Sequence, residues 1–235
     1  MRRSITINGQ EIYYELTRKR VRNMNLRIRQ DGTIAVSANT RVPQHEIDRF
    51  LTEKSDFILK GLSKTYERMT NASRPTSCRD GETVNVFGEK CVIRVLQGSR
   101  AKVIYEYPVV TLIVRDPDCE DERRRTYDRW KKKLLKDKIL EMCEYYYPKF
   151  QERGVEPPKD IKFRTMTSRW GCCRPTLGIL TFNYNLFEVP EECTAYVVVH
   201  EFAHFLHADH STRFYREVER VMPDYRPRRK LLNEY

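Results

Sequence analysis

The sequence has no long hydrophobic run. No uninterrupted apolar segment approaches the ~20 residues that a membrane-spanning helix requires. Met1-Arg2-Arg3 leads into a polar strand, where a signal peptide would have an apolar segment. Hydrophobic residues make up 40% of the chain, which is somewhat low but enough for a core. We therefore expect no contact with membranes and a cytoplasmic location.

The cysteines do not form a disulfide framework. There are seven, an odd number, and they are scattered along the chain. This usage fits reduced thiols in a cytosol. Cys172 and Cys173 are adjacent and could form a thiol ligand or a redox site, but we favour a structural, partly buried pair.

The charge is strongly basic, with 44 Lys and Arg against 33 Asp and Glu and a formal net charge of +11. Such an excess admits a nucleic-acid or nucleotide partner. However, the basic runs at 123–125, 131–133 and 226–230 are interleaved with acids or lie at a terminus. The aromatic and basic interleaving of an RNA-binding sheet is also missing. We favour a solvated basic surface, with weak nucleic-acid association as the alternative.

The first half of the chain is predicted to be rich in antiparallel strands. Asn8-Gly9 and Asp31-Gly32 separate alternating runs, which is typical of two hairpins. A helix is predicted from Pro43 to Gly61, and residues 62–79 are a candidate linker or mobile loop. Further strand-like runs reach residue 114. We therefore assign residues 1–117 to a β-rich N-terminal region with one helix.

The second half, residues 118–235, is predicted to be mostly helical. A long helix should run from about residue 120 to 147, because Pro148 ends or kinks it. Two strands, 161–166 and 178–184, are joined through an Arg169-Trp170-Gly171 loop. Pro190 starts a further helix, and Ser211 caps the one after it. The predicted fold class is α+β.

Chemistry is indicated by the His-Glu-x-x-His motif at residues 200–204. On a helix His200 and His204 lie on one face, about 6 Å apart along the axis, and can bind one ion. Glu201 is turned by about 100°, the place for a general base acting on a metal-bound water. Residues 193–206 are almost all apolar, so this helix should be buried nearly all round. Burying the two His and the Glu is costly unless they have partners, and a metal is one.

A catalytic zinc needs a third protein ligand, and His207 and His210 are the candidates. His207 lies about 10 Å along the axis from His200, too far to converge on one ion. A turn after Ala208-Asp209 could swing His210 back under the metal. The spacing from His200 to His210 is that of the metzincin pattern. His207 stands where that pattern has its turn glycine, and a histidine can take the left-handed conformation only at some cost. We predict His210, with His207 second; the all-imidazole set favours zinc, and nickel or cobalt would fit.

Several segments resemble the YgjP-like metallopeptidase family, related to the SprT and WLM zincin-like proteins. The matching segments are Val197–His204, Asp209–Tyr215, Val221–Tyr225, Ser168–Cys173 and Gly178–Asn183. Cys172 replaces the family's usual Ser, and Thr181-Phe182 replaces a polar-Leu pair. The resemblance covers nearly the whole chain and implies that residues 118–235 form a zincin-like, metal-binding catalytic domain with the metal helix on a small sheet.

The resemblance also implies roles for individual residues. It assigns the metal ligands to His200, His204 and His210 and the catalytic glutamate to Glu201. In zincin-like proteins the strand beside the metal helix often binds substrate in extended form, so Arg169 and Trp170 are candidate substrate-binding residues. A guanidinium there would hold a carboxylate or phosphate. Alternatively, Arg169 is structural and Trp170 fills the core beneath the helix.

The sequence thus favours a metal-dependent hydrolase that resembles zinc metallopeptidases and acts on peptides. One alternative, also implied by the resemblance, is a nucleoside triphosphate pyrophosphatase or phosphohydrolase using the same metal. A second is a DNA-associated SprT-like binding or protease module. Against a purely structural metal, such a site would use four protein ligands and would not need Glu201.

Overall fold

The computed structural model describes residues 2–7, 9–29, 31–71 and 76–235. The chain divides into two compact units, residues 1–75 and 76–235. This division lies well before residue 117, where we predicted the domain boundary. The boundary falls earlier because the strands from residue 83 to 114 share one hydrophobic core with the two helices at residues 120–151 and 191–203. The catalytic role predicted for residues 118–235 stays a prediction.

The first unit contains a four-stranded sheet in the order β1-β2-β4-β3. Its strands are β1 (Arg2–Ile7), β2 (Gln10–Arg18), β3 (Asn25–Ile28) and β4 (Ile34–Ala38). Both predicted hairpins are confirmed, although Asn8 lies outside the described residues. The prediction of antiparallel pairing throughout is wrong, because β4 and not β3 lies beside β2, and that pair is parallel.

Two helices cover one face of this sheet, where we predicted one helix and a linker. They are α1 (Gln44–Glu53) and α2 (Ser55–Asn71). Gly61, predicted to stop a helix, lies within α2 against β3, and a Cβ at Gly61 would overlap the Ile28 side chain. Its role is therefore close packing. The predicted linker is wrong for residues 62–71, and residues 72–75 of it lie outside the described part.

The second unit begins with a sheet of the same topology, in the order β5-β6-β8-β7. Its strands are β5 (Thr83–Val86), β6 (Glu89–Gln97), β7 (Lys102–Glu106) and β8 (Val109–Val114). As in the first unit, two antiparallel hairpins join through a parallel pair of their second strands. The strands were predicted, but this repetition of one four-stranded motif was not.

A long helix, α3 (Glu120–Gln151), packs on this second sheet. Its buried side chains include Tyr127, Leu135 and Ile139, in the stripe expected from the sequence. We predicted that Pro148 ends or kinks the helix, and the first alternative is wrong, since the helix continues to Gln151. A proline lacks only its own backbone N–H donor. Near the C-terminal end of a helix few intrahelical hydrogen bonds follow, so a proline there disrupts little of the helix.

The rest of the second unit places the motif. A three-stranded sheet, in the order β10-β11-β9, precedes three helices. These elements are β9 (Asp160–Arg164), β10 (Gly171–Arg174), β11 (Ile179–Asn183), α4 (Glu191–Ala203), α5 (Thr212–Val221) and α6 (Tyr225–Leu232). Strand β10 and helix α6 were not predicted. The overall class, mixed α+β, is confirmed. Within the described residues no helix has both the length and the apolar character to cross a membrane.

Candidate metal centre

Helix α4 is buried nearly all round, as predicted. Every residue from Cys193 to Ala203 is buried except His200, which is half-buried. The helix starts after Pro190, which contacts the β5–β6 turn: a Cβ on Gly88 would lie 2.8 Å from the Pro190 ring. It ends at Ala203 with His204 as its C-cap, and so stops before residue 206, where our predicted helix ended. His200 and His204 therefore lie on its last turn and at its end.

The three predicted histidine ligands converge. One ring nitrogen from each of His200, His204 and His210 lies within 4.8 Å of the other two. The Nε2 atoms of His200 and His210 are 3.0 Å apart. Two imidazoles on a tetrahedral zinc would place their nitrogens about 3.3 Å apart, from Zn–N bonds of about 2.05 Å. The cluster therefore has the dimensions of a three-histidine metal site.

The outward-facing nitrogens of two of these rings already have partners. His204 Nδ1 donates to the His207 carbonyl oxygen at 3.0 Å, and a carbonyl can only accept. His200 Nδ1 lies 3.3 Å from the Tyr196 hydroxyl. The bond to the carbonyl fixes the His204 tautomer with Nδ1 protonated and leaves its Nε2 as the lone-pair donor that a metal requires. The Tyr196 hydroxyl, which can donate or accept, orients the His200 ring.

His207 therefore contacts the site through its backbone. It is absent from the cluster of converging nitrogens formed by the described residues. The chain leaves the helix in tight turns, with the N–H groups of Leu206 and His207 both donating to the Ala203 carbonyl. Only Cys78 and Phe87 among the described non-glycine residues have positive φ, so His207 does not bear the cost of a left-handed conformation.

Burial keeps His200 and His204 neutral. It lowers the pKa of His200 to about 3, helped by the nearby His204, His210 and Arg229. Burial also lowers the pKa of His204, with His210 adding to the effect. Uncharged imidazole is the form that binds metals, so at pH 7 these rings need no proton loss to bind a cation.

Glu201 lies beside the cluster, almost fully buried at 5% exposure. Its Oε2 atom has no hydrogen-bond partner among the described residues. Burial raises the Glu201 pKa to about 8, opposed by a backbone hydrogen bond from Cys173 and by the Arg169 charge. A Cβ on Gly171 would lie 2.5 Å from Glu201 Oε1, so only glycine leaves room for this carboxyl. A buried carboxyl with one unpartnered oxygen, beside three converging imidazoles, fits a site that receives a cation.

Comparison with known proteins assigns the chain to a family. The family model described as "YgjP-like, metallopeptidase domain" matches residues 22–235. The chain belongs to the YgjP-like metallopeptidase family. Membership supports a hydrolase and implies a divalent metal.

The likeness to solved structures is more limited. The crystal structure of the metallopeptidase zymogen of Pyrococcus abyssi abylysin is 24% identical, with a TM-score of 0.34 over 40% of this chain and 87% of that chain. A score that low assigns no fold. No curated protein matches the chain.

A cavity of about 740 Å³ opens over the cluster of His200, His204 and His210. Arg169 and Trp170 both line it, and Trp170 also packs against the core, so the two sequence interpretations of Trp170 are compatible. The loop that carries them is held by buried Asn183, whose Nδ2 donates to the carbonyls of Met166 at 2.7 Å and Arg169 at 2.9 Å.

The adjacent cysteines lie on β10 and line the same cavity. Both are half-buried, and all seven cysteines are free thiols. Burial, with the neighbouring Glu201 and Cys172, raises the pKa of Cys173 to about 12. The Cys173 thiol is therefore protonated at pH 7, and it is absent from the cluster of converging ligand atoms that the described residues form.

Three residues of the site were missed in the sequence. Tyr196 stands four residues before His200 on the same helical face, a spacing that could have revealed it. Tyr215 on α5 and Arg229 on α6 also line the cavity. Arg229 was assigned to a solvated terminal charge run, because no helix was predicted there.

Proposed function

We propose that this protein is a metal-dependent peptidase in which His200, His204 and His210 hold a divalent cation and Glu201 is the general base. The observation that carries the proposal is the convergence of three imidazole nitrogens, within 4.8 Å, beside a buried carboxyl oxygen without a partner. We also propose that the domain is zincin-like. All the proposed residues fall within the predicted catalytic region, residues 118–235.

The donor set fits zinc best. Three neutral imidazoles suit zinc, and nickel or cobalt also accept them. When bound, such a cation supplies a Lewis acid with a coordination position open to substrate and water. Tyr196 and the His207 carbonyl orient two of the rings, which keeps the site formed before the cation arrives.

Glu201 provides the proton transfer. Its pKa of about 8 without metal would fall beside a cation, because opposite charge favours the carboxylate. The Cys173 N–H holds the carboxyl from the β10 side, while Oε2 is unpartnered and available to exchange a proton. The carboxylate takes a proton from the attacking water and delivers it to the leaving amine.

Strand β10 supports a peptide as substrate. It is the edge strand of its sheet, pairing with β11 alone among the described strands, and it carries Gly171 and Cys173 beside Glu201. An exposed edge can add an extended peptide by main-chain hydrogen bonds, with side chains alternating to either face. Arg169 and Trp170 precede this strand and would contact that peptide.

A paired hydrolysis assay tests the proposal. Wild type and Glu201→Gln, each reconstituted with zinc and separately with nickel, are given a peptide mixture and the four nucleoside triphosphates. We expect wild type to cleave peptides, and Glu201→Gln to bind equal metal by elemental analysis and cleave none. Release of pyrophosphate without peptide cleavage would replace the peptidase with a nucleotide hydrolase, and full activity of the variant would remove Glu201 as the base.

A further inference from the structure

The C-terminal helix α6 carries three arginines in different environments. Arg226 pairs with Glu219 at 3.2 Å, and Arg228 pairs with Asp224 at 2.7 Å. Arg229 has no carboxylate partner in the described part of the chain and lines the metal cavity. Two of the three charges are therefore neutralised locally, and the third is left for something that enters the cavity.

The Arg229 guanidinium is held in place by a stack of tyrosines. Its central carbon lies 4.9 Å from the Tyr215 ring centroid. Tyr215 stacks on Tyr225 at 5.8 Å, and Tyr225 on Tyr196 at 6.4 Å, both with interplanar angles of 16°. A guanidinium lying over a ring keeps its N–H donors in its own plane, free to hold an anion bidentately. Arg229 is thus oriented by the tyrosine ring while its N–H donors stay available to a ligand.

The charges of the cavity favour an anion. Its lining contains the two cations Arg169 and Arg229 and only one carboxyl group, that of the buried Glu201. Arg169 precedes strand β10, whereas Arg229 lies on helix α6, so the two guanidiniums line the cavity from different elements. A cleft lined mainly by one sign of charge concentrates ligands of the opposite sign.

We propose that Arg229 forms a carboxylate-binding subsite, so that the site prefers peptides with an acidic side chain or a free C-terminal carboxylate near the cleaved bond. This inference rests on the proposed peptidase function for its choice of ligand. A carboxylate is the anion that peptides offer, and its two oxygens match the fork of a guanidinium. Arg229 is then a specificity residue that is separate from the metal ligands and the base.

Peptide binding, measured without turnover, tests this subsite. Zinc-loaded Glu201→Gln protein is titrated calorimetrically with four acetylated peptides that differ only in Glu or Gln at one position and in an acid or amide C terminus. We expect one carboxylate to tighten binding about 10- to 100-fold, the range for a charge-assisted hydrogen bond. The Glu and C-terminal arms identify which carboxylate is used.

Arginine variants in the same background complete the test. Arg229→Gln should abolish the preference and Arg229→Lys should keep part of it, because the charge stays but the planar fork is lost. Arg226→Gln is the matched control, since Arg226 lies on the same helix over a tyrosine ring, 5.3 Å from its centroid, but pairs with Glu219. The melting temperature of each variant reports whether it folds.

Each outcome is decisive. Equal affinity for the four peptides, or a preference that survives Arg229→Gln, overturns the subsite. Triphosphate binding that depends on Arg229, without any carboxylate preference, assigns the subsite to phosphate and also overturns it. A carboxylate preference lost only in the Arg229 variants, with no peptide cleaved by wild type, supports the subsite and refutes the peptidase.

Discussion

Replacing Glu201 with glutamine should stabilise the metal-free protein, and the gain should grow with pH. The Glu201 side chain is 5% exposed, and burial raises its pKa from 4.5 to about 8. Between those two pH values the folded state binds a proton that the unfolded state has lost. Stability of the wild type therefore falls as pH rises through this window. Glutamine has nearly the same shape and no charge to bury.

The size of the effect follows from about 1.36 kcal/mol per pKa unit. The burial cost of the charge is about 2 kcal/mol at pH 6 and about 4 kcal/mol at pH 8, and it disappears below pH 4.5. Titration of the histidines is common to both proteins and cancels in the difference. For a unit of this size, about 4 kcal/mol corresponds to a rise of roughly 10 °C in melting temperature at pH 8.

Differential scanning fluorimetry of chelator-treated protein from pH 5 to pH 8 measures this difference. The matched control is Glu217→Gln, because Glu217 is also buried but pairs with Arg153 at 3.1 Å and Arg220 at 3.0 Å. Loss of that charge should lower the melting temperature. An unchanged melting temperature for Glu201→Gln at pH 8, or a gain independent of pH, would refute the account of Glu201 as a buried carboxyl whose charge has no cationic partner among the described residues of the metal-free protein. Adding zinc should shrink the gain, since a neighbouring cation stabilises the carboxylate.

Four further variants probe the neighbours of this carboxyl and of the histidine cluster. His210→Ala should lose most of the bound metal and His207→Ala much less, because His207 contributes its backbone carbonyl and not its ring. Elemental analysis after dialysis compares the metal content of the two variants. The reverse order would remove His210 as the third ligand. Gly171→Ala should lower kcat at least about tenfold at unchanged metal content, since its Cβ displaces Glu201; unchanged kcat would mean that the carboxyl moves without consequence. Tyr196→Phe should weaken zinc about tenfold in chelator competition, and an unaltered affinity would show that its hydrogen bond to His200 is dispensable.

The histidine cluster was predictable because the residues that form it are close together in the sequence. Helical spacing alone places His200 beside His204, and an apolar sequence around them predicts burial, which the structure confirms. His210 required a turn, and the turn was inferred from distance: a ring seven residues along the helix could not reach. The helix ends earlier than predicted, at Ala203, and this brings the following chain round.

Strand β10 and helix α6 were not predictable in the same way. The strand has four residues, Gly171 to Arg174, with no alternation, and it exists because β11 pairs with it. Helix α6 begins with Tyr225 and contains Pro227 in its first turn, which helices tolerate. Its basic run resembles a solvated terminus. Arg229 differs from the paired arginines beside it through tertiary packing, because it lies over Tyr215 of α5.

The four-stranded motif of the second unit contributes to the site through one turn. Phe87 and Gly88 both have positive φ, and the Phe87 N–H donates to the Phe187 carbonyl at 2.8 Å. Positive φ is costly for phenylalanine, so the surrounding packing must hold it there. Its ring lies 5.3 Å from that of Phe187, and Gly88 approaches Pro190 so closely that a Cβ would lie 2.9 Å from the Pro190 nitrogen. The start of α4 is therefore fixed by a hairpin far earlier in the sequence, and the metal helix depends on strands that precede residue 117.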